Sequence, residues 1–392
     1  MKYNAWTLAL IGAGVVSLPA VTHAEENTNV VLTAISTTTI SGYVDTSAHW
    51  NPGTGNANLP TYSPNGKPGG LKADGFNLDL VALTISKPVG EGDWGAGYNA
   101  TLLFGPDAVG YNNSFGSAAS DFSLKDAYVE LRAPLGNGLD VKLGTYTEIL
   151  GYEVFETGNN PNYTRSYGYE IEPTAMTGVL ATYQFSKVIT AQAGIVNTWS
   201  AGINNRNDPP KGESFKTYMG GVTLTAPDSL GFLAGSTLSG GIISGYDSAN
   251  QVDKTSWYVG GTFKTPCKCL TVGLAYDYVN VADTTLPVTK AAYQSAAAAY
   301  LLVQATDKLA FNTRVDYFSQ SEFLTSSGMP EEVFALTETV QYDLWKNVVS
   351  RLEVRWDHSL NGTAAYGGGT SGNPGPSLQK AVLVAANIIY KF

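Results

Sequence analysis

The charged residues whose types and spacing most strongly suggest a functional role lie in one connecting segment. Residues 148–175 contain five glutamates and one arginine, namely Glu148, Glu153, Glu156, Arg165, Glu170 and Glu172. Charged groups that ring a narrow aqueous passage set its ion preference, because low-dielectric walls focus their field. The same residues would also suit a solvated surface loop. Arg165 could instead pair with Glu170 or Glu172 to hold the shape of the segment.

A second set of charges lies in segments where charged and apolar residues alternate. In residues 348–358 the apolar Leu352, Val354 and Trp356 fall between the charges. An extended chain therefore places all the charges on one face, where they need water or partners to offset desolvation. The residues that share this predicted polar face are Glu130, Arg132, Arg314, Asp316, Arg351, Glu353, Arg355 and Asp357.

Catalytic and metal chemistry have little support. A nucleophilic hydrolase needs a histidine beside its nucleophile, and neither His49 nor His358 lies in such a motif. The polar segment 204–208 could contact a divalent cation, but its composition also suits a solvated loop. The sequence predicts no catalytic residue, no cofactor and no resident metal. An outer-membrane hydrolase remains the alternative that an enzyme assay would detect.

The two cysteines, Cys267 and Cys269, are separated by one residue in a predicted turn. Redox or metal chemistry would call for a wider spacing or for further ligands. Positions two apart on a strand share a face, so a bridge between them stays open. The spacing alone assigns them no role.

These residues must be positioned by β-strands, because the dominant period is two. We predict about sixteen strands, and their connections alternate between short turns and long loops rich in Gly, Asn, Pro and Ser. A sandwich has no reason to keep that rhythm, whereas a transmembrane barrel has short turns on one rim and long loops on the other. The predicted strands lie near 39–50, 76–87, 95–104, 122–133, 139–147, 176–186, 188–199, 215–226, 232–246, 254–265, 269–280, 291–304, 308–319, 333–344, 348–358 and 378–392.

Composition agrees with a barrel whose apolar face meets lipid and whose polar face encloses water. The chain is 43% hydrophobic and 14% charged, whereas ordinary soluble domains are about 25% charged. Mean hydropathy is only −0.06, and after the first residues no apolar run reaches the roughly 18 residues of a membrane helix. The net charge of −10 argues against nucleic acid as a partner.

The beginning of the chain predicts export. Lys2 precedes an uncharged apolar stretch at 7–18, and Pro19 and Ala24 suit the end of a signal peptide. We therefore predict a signal peptide at 1–24, an N-terminal periplasmic segment at 25–38 and an all-β, antiparallel up-and-down transmembrane barrel at 39–392. The final strand closes against the first and ends on Phe392.

Three stretches resemble the β-barrel porin-2, or OmpL-like, family. They are ISGYVDTSAHW at 40–50, DAYVELRAPLGNGLDVKLG at 126–144 and NPNYTRSYGYEIEPTAMTGVLATY at 160–183. The resemblance implies a porin-like protein in the outer membrane of a Gram-negative bacterium. The terminal Phe392 also resembles the signal by which the outer-membrane assembly machinery recognises its clients. By analogy with general porins, the loop at 148–175 would fold inward, and three copies would form a homotrimer.

Together these observations predict passive diffusion of small hydrophilic solutes and ions through a water-filled barrel in outer-membrane lipid. A barrel of about sixteen strands leaves an aqueous channel, whereas about eight strands fill with side chains. The glutamates and Arg165 of 148–175 are the predicted constriction, and the alternating charges are predicted to face the lumen. The alternative is a plugged structural or adhesive barrel that binds a surface partner through its external loops. The sequence names no solute and no ion preference.

Overall fold

The computed structural model describes residues 38–61, 72–90, 94–109, 111, 121–199, 202–207, 209, 211–282, 291–321, 330–369 and 375–392. Within them, sixteen antiparallel strands form one closed barrel. In chain order the strands are β1 (Thr39–Trp50), β2 (Gly75–Lys87), β3 (Gly95–Phe104), β4 (Phe122–Ala133), β5 (Leu139–Thr147), β6 (Ala175–Gln184), β7 (Ile189–Val196), β8 (Thr217–Thr225), β9 (Thr237–Asp247), β10 (Val252–Lys264), β11 (Leu270–Val281), β12 (Ala292–Gln304), β13 (Leu309–Gln320), β14 (Glu332–Trp345), β15 (Val348–Ser359) and β16 (Lys380–Lys391).

The predicted fold class is confirmed, with local differences in strand length. The ninth strand begins at Thr237 rather than near 232, because Asp228–Leu233 forms a 3-10 turn. The seventh strand ends at Val196, three residues early. The predicted signal peptide and the periplasmic segment lie outside the described residues, apart from Thr38.

Among the residues that the structure describes, helices are short and lie in connections between strands. One α-helix, α1 (Tyr167–Ile171), and a 3-10 turn at Thr157–Asn159 lie between β5 and β6, and another 3-10 turn at Pro106–Ala108 follows β3. In the part of the chain that the structure describes, no helix has the length and apolar composition to cross a bilayer.

The two faces of the barrel wall have opposite character. In β15 the side chains of Leu352 and Val354 are 54% and 47% exposed, whereas Glu353 and Arg355 are fully buried. A sandwich would bury the aliphatic residues and expose the charges. The observed pattern is that of a barrel with an apolar exterior and a polar interior, as the alternation predicted.

The barrel closes where the last strand meets the first. The amide of Phe392 donates to the carbonyl of Gly42, and the amide of Gly42 donates to the carbonyl of Phe392, both at 2.9 Å. A Cβ on Gly42 would lie 2.7 Å from the Phe392 ring, so glycine leaves room for that ring against the first strand. Closure removes the free edges that hydrocarbon does not tolerate.

A charged residue interrupts the apolar exterior midway along β14. Glu338 points outward from the middle of β14, halfway along the strand between Phe334 and Tyr342, and its side chain is exposed. Its carboxylate accepts a hydrogen bond of 2.6 Å from the Thr313 hydroxyl on β13. A carboxylate at this depth faces hydrocarbon, where that single donor replaces only part of its hydration.

We expect Glu338→Leu to stabilise the barrel by about 1 kcal/mol, because it removes a polar group from the lipid-facing surface. The measurement is reversible urea unfolding in lipid vesicles. Glu332→Leu, at the end of the same strand, is the matched control and should change stability little. A loss of stability in Glu338→Leu would contradict exposure to lipid and would indicate a protein contact at this position.

Candidate functional site

The connection between β5 and β6 (residues 148–174, hereafter the third loop) folds into the barrel interior. Its shape is set by local hydrogen bonds. The Asn160 side chain bonds both the amide and the carbonyl of Val154, at 2.8 and 2.7 Å. The Ser166 hydroxyl accepts a bond from the Tyr169 amide and so caps α1. These local bonds prepare the loop to meet the wall as a folded unit.

Arg165 holds the loop from within. Its guanidinium donates to the carbonyls of Phe155 and Tyr163, at 2.7 and 3.0 Å, and to the hydroxyl of Thr157 at 3.1 Å. The side chain is fully buried. Arg165 therefore stabilises the shape of the loop, as one sequence alternative proposed, but it does so through carbonyl and hydroxyl groups.

The first turn of the third loop packs into gaps left by glycines of the wall. The Ile149 and Leu150 side chains lie where a Cβ on Gly221 or on Gly241 would approach them to 3.3 and 2.7 Å. The Tyr152 hydroxyl occupies the corresponding space at Gly273. Three neighbouring regions of the wall, on β8, β9 and β11, thus accept the loop because they lack side chains there.

Arg314 on β13 is the central anchor of the loop. It donates to the Glu153 carboxylate at 2.9 Å and to the carbonyls of Thr164 and Arg165 at 2.6 and 3.0 Å. Its Nε donates to Asp316 at 2.7 Å. Arg314 and Glu153 have no exposed side-chain surface. A buried guanidinium with its donors satisfied joins loop and wall at this point.

Glu353 on β15 binds the loop backbone directly. Its two carboxylate oxygens accept hydrogen bonds from the amides of Tyr163 and Thr164, at 2.6 and 3.0 Å. The Thr339 hydroxyl donates a third, at 2.6 Å. A fully buried carboxylate is therefore surrounded by donors, which offsets the loss of its hydration.

The neighbouring charges of β15 complete the anchor. Arg355 donates to the Arg165 carbonyl at 2.7 Å and pairs with Asp357, which accepts a 2.8 Å bond from the Tyr167 hydroxyl. Arg351 donates to the carbonyl of Thr157 at 2.9 Å. The predicted polar face therefore points into the barrel, but on β13 and β15 the third loop covers it.

The far end of the loop reaches the first strands. The Tyr163 hydroxyl donates to Asp79 on β2 at 3.0 Å and lies 2.7 Å from the His49 ring nitrogen on β1. Glu156 pairs with Lys125 on β4 at 2.9 Å. His49, Tyr163 and the wall glycines were not predicted as part of the site. The sequence signal that could have identified the gaps is the presence of glycines at inward positions of otherwise regular strands.

Part of the interior wall carries polar side chains that remain partly exposed. We call it the open wall and define it by the inward residues of β3 to β6: Asn99, Tyr128, Glu130, Arg132, Lys142 and Thr182. Arg132 pairs with Asp140 at 2.6 Å, and the Lys142 ammonium lies 4.7 Å from the centre of the Tyr128 ring. Predicted Glu130 and Arg132 therefore lie away from the charges of β13 and β15.

Burial raises the pKa of three carboxyls near the ends of the third loop. The pKa of Glu148 is well above its ordinary value, and so is that of Glu172, where Asp277 on β11 adds repulsion and a hydrogen bond. Glu170 is partly exposed, yet burial raises its pKa to about 8. At neutral pH the loop therefore carries less negative charge than its glutamate count implies. Among the described residues, no group of His, Cys, Asp and Glu could hold a metal ion.

The family described as "Putative beta-barrel porin-2, OmpL-like" matches residues 37–392. The chain belongs to this family. The resemblance seen in the sequence is thereby confirmed over the whole barrel, and the protein is an outer-membrane porin. No curated protein matches it in sequence.

Solved outer-membrane channels share the fold at low sequence identity. The channel DcaP of Acinetobacter baumannii is 13% identical with a TM-score of 0.57, covering 91% of this chain and 97% of its own. An anion-selective porin from Comamonas acidovorans is 12% identical with a TM-score of 0.59, covering 91% and 99%. OprB of Pseudomonas putida is 11% identical with a TM-score of 0.58, covering 91% and 94%. At these identities the likeness shows the fold alone.

We expect Glu353→Gln to loosen the third loop, because the neutral amide presents one acceptor oxygen to three donors. A cost of roughly 1.5–3 kcal/mol would speed hydrogen exchange at the amides of Tyr163 and Thr164 about 10- to 100-fold. Mass spectrometry of peptides from the folded barrel measures this. Glu332→Gln, at the rim, is the control and should leave these amides protected. Unchanged exchange in Glu353→Gln would show that the carboxylate does not hold the loop.

Glu170 contributes to the pH dependence of loop docking, together with Glu148 and Glu172. Its pKa rises from 4.5 in the free state to about 8 when docked, so docking is favoured below pH 4.5 and loses that contribution as pH rises through 8. After correction for intrinsic exchange rates, we expect residues 163–171 to lose protection progressively between about pH 5 and pH 8, the interval between the two pKa values. Glu170→Gln should make this loss smaller. An identical pH profile in the variant would exclude Glu170 as its source.

Proposed function

We propose that this porin admits small hydrophilic solutes and ions by passive diffusion, through a water-filled passage between the third loop and the open wall. The observation that carries the proposal is the attachment of the loop to β13 and β15, away from the partly exposed polar residues of β3 to β6. No catalytic step is involved. Outer-membrane lipid surrounds the barrel. The charged side chains of the barrel act on passing ions only through their electrostatic field.

The predicted constriction residues then divide into two groups. Glu153, Glu172 and Arg165 are buried, and we assign them to holding the loop. Glu148, Glu156 and Glu170 keep some exposure. Of these, Glu156 and Glu170 would face passing ions, although Lys125 neutralises Glu156 and a high pKa reduces the charge of Glu170.

The charges of the lumen divide in the same way. Arg314, Glu353 and Arg355 are covered by the loop and cannot meet a solute. Glu130 and Lys142 are partly exposed, and Arg132 is largely compensated by Asp140. Ion preference would therefore depend on a small number of opposing charges, among them Lys142 and Glu130, which lie opposite each other on β5 and β4.

A plugged barrel is the second candidate, because one observation favours it. The third loop contacts wall residues from β8 round to β16 and then β1, β2 and β4, which is most of the circumference. In that version the external loops would bind a surface partner and no solute would cross. Conductance separates the two candidates.

We expect the purified porin to give single-channel steps in a planar bilayer. Replacing residues 149–173 by a short glycine linker should enlarge each step several-fold, because it removes the obstacle from the lumen. Arg314 and Arg355 would then be exposed to water and hydrated, so the variant should still fold. Heat-modifiable mobility on a gel checks its folding. If the wild type gives no conductance steps and the deletion variant does conduct, the plugged barrel is established. Equal steps in both proteins would remove the constriction from the proposal.

Charge reversal on the open wall tests the position of the passage. In a salt gradient, Lys142→Glu should shift the reversal potential towards cation preference, because it replaces a positive group at the path by a negative one. Lys308→Glu, in the exposed turn between β12 and β13, is the matched control and should shift it little. Equal shifts in both variants would place the passage elsewhere.

A further inference from the structure

A disulfide bond joins Cys267 and Cys269 in the turn between β10 and β11. Both cysteines are exposed, and their Cα atoms are 5.2 Å apart. The turn belongs to the rim of short connections, which faces the periplasm in this class of barrel. Neither solute passage nor loop docking involves this pair.

The turn has other interactions that fix its shape. The amide of Leu270 donates to the carbonyl of Cys267 at 2.9 Å, and the Thr265 hydroxyl donates to the same carbonyl at 2.9 Å. The amide of Gln304, on the neighbouring strand, donates to the carbonyl of Cys269 at 2.8 Å. These bonds do not require the sulfur atoms, so the turn should keep its shape when the disulfide is reduced.

The disulfide also contributes little to folding by restricting the unfolded chain. The entropy that a cross-link removes grows with the number of residues it encloses. Here the sequence separation is only two, and β10 and β11 already pair from Lys254 to Lys264. An exposed bond in such a small ring is poorly explained as a structural clasp.

The surroundings of the bond suit exchange with another thiol. Lys268 lies between the cysteines, and a nearby cation favours the thiolate form of whichever sulfur leaves. After reduction the two thiols remain in one turn, so each can displace a partner from the other at a high effective concentration. The spacing alone predicted no redox role, but the formed bond and its exposure change that interpretation.

We propose that the Cys267–Cys269 disulfide is a reversible thiol–disulfide exchange site for dithiols on the periplasmic side of the membrane. A partner thiolate attacks one sulfur, the Cys267–Cys269 bond breaks, and the other cysteine leaves as a thiolate that takes up a proton. The second thiol of the partner loses its proton and attacks the partner's own sulfur in the mixed disulfide, so the bond to the porin breaks and the porin cysteine leaves as a thiolate that takes up a proton. The partner ends as a disulfide, having lost two electrons, and the porin ends as a dithiol.

Dithiothreitol is the probe dithiol, applied to the folded barrel in detergent, with free thiols tagged by a maleimide-coupled polymer. We expect two tags per chain after brief reduction, while the unfolding temperature changes by less than about 2 °C. Lys268→Gln should slow the reduction several-fold. When glutathione forms a mixed disulfide with the barrel, Cys267→Ser and Cys269→Ser should each retain it. The wild type should release glutathione, because its second cysteine attacks the mixed disulfide. The double variant should take up no tag.

Two results would overturn the proposal. In one, no tag attaches until the barrel unfolds, which would make the bond inaccessible in the native protein. In the other, reduction or the double variant lowers the unfolding temperature by more than about 5 °C, which would make the bond a structural clasp. Since conductance does not enter these measurements, they stand apart from the proposed channel activity.

Discussion

Closure of the sheet is the constraint on which the rest of this structure depends. Hydrocarbon offers no hydrogen-bond partners, so a sheet can cross it only if every strand edge is paired. The pairing of β16 with β1 satisfies that condition and fixes the outward face as apolar. Because side chains alternate, the polar residues must then point into the barrel. The apolar outer surface needs no polar partners, because lipid covers it. The charged side chains of the interior do need them.

The third loop supplies many of those partners from its backbone. Arg314, Arg351 and Arg355 donate to loop carbonyls, and Glu353 accepts from loop amides. Peptide groups suit this purpose, because a loop without regular secondary structure has unpaired carbonyls and amides of its own. Wall and loop therefore satisfy each other. Removing one member leaves several buried groups unpaired, and the effects of single changes will not be additive.

The sequence predicted the elements well and the site only in part. The period of two along β15 identifies its inward charges from Arg351 to Asp357, and strand closure follows from the pattern of connections. The partners of those charges lie about 190 positions away, as with Tyr163 and Glu353, and no local pattern indicates such a pairing. The predicted wet lumen at β13 and β15 assumed that water was the partner. The predicted turn at 227–231 is longer in the structure, because the 3-10 turn at Asp228–Leu233 also includes Phe232 and Leu233, whose apolar side chains resemble the start of a strand.

Chain connectivity explains why the loop lies where it does. The third loop leaves from β5 and returns to β6, which are hydrogen-bonded neighbours, so both of its ends start from the same part of the wall. A folded segment of this length can bury its side chains only by extending away from that base towards other strands. The glycines of β8, β9 and β11 admit its first turn, and the charges of β13 and β15 bind its middle. Beside that base, Glu130, Arg132 and Lys142 on β4 and β5 remain partly exposed, because the middle of the loop binds the charges of β13 and β15 on the opposite side of the barrel.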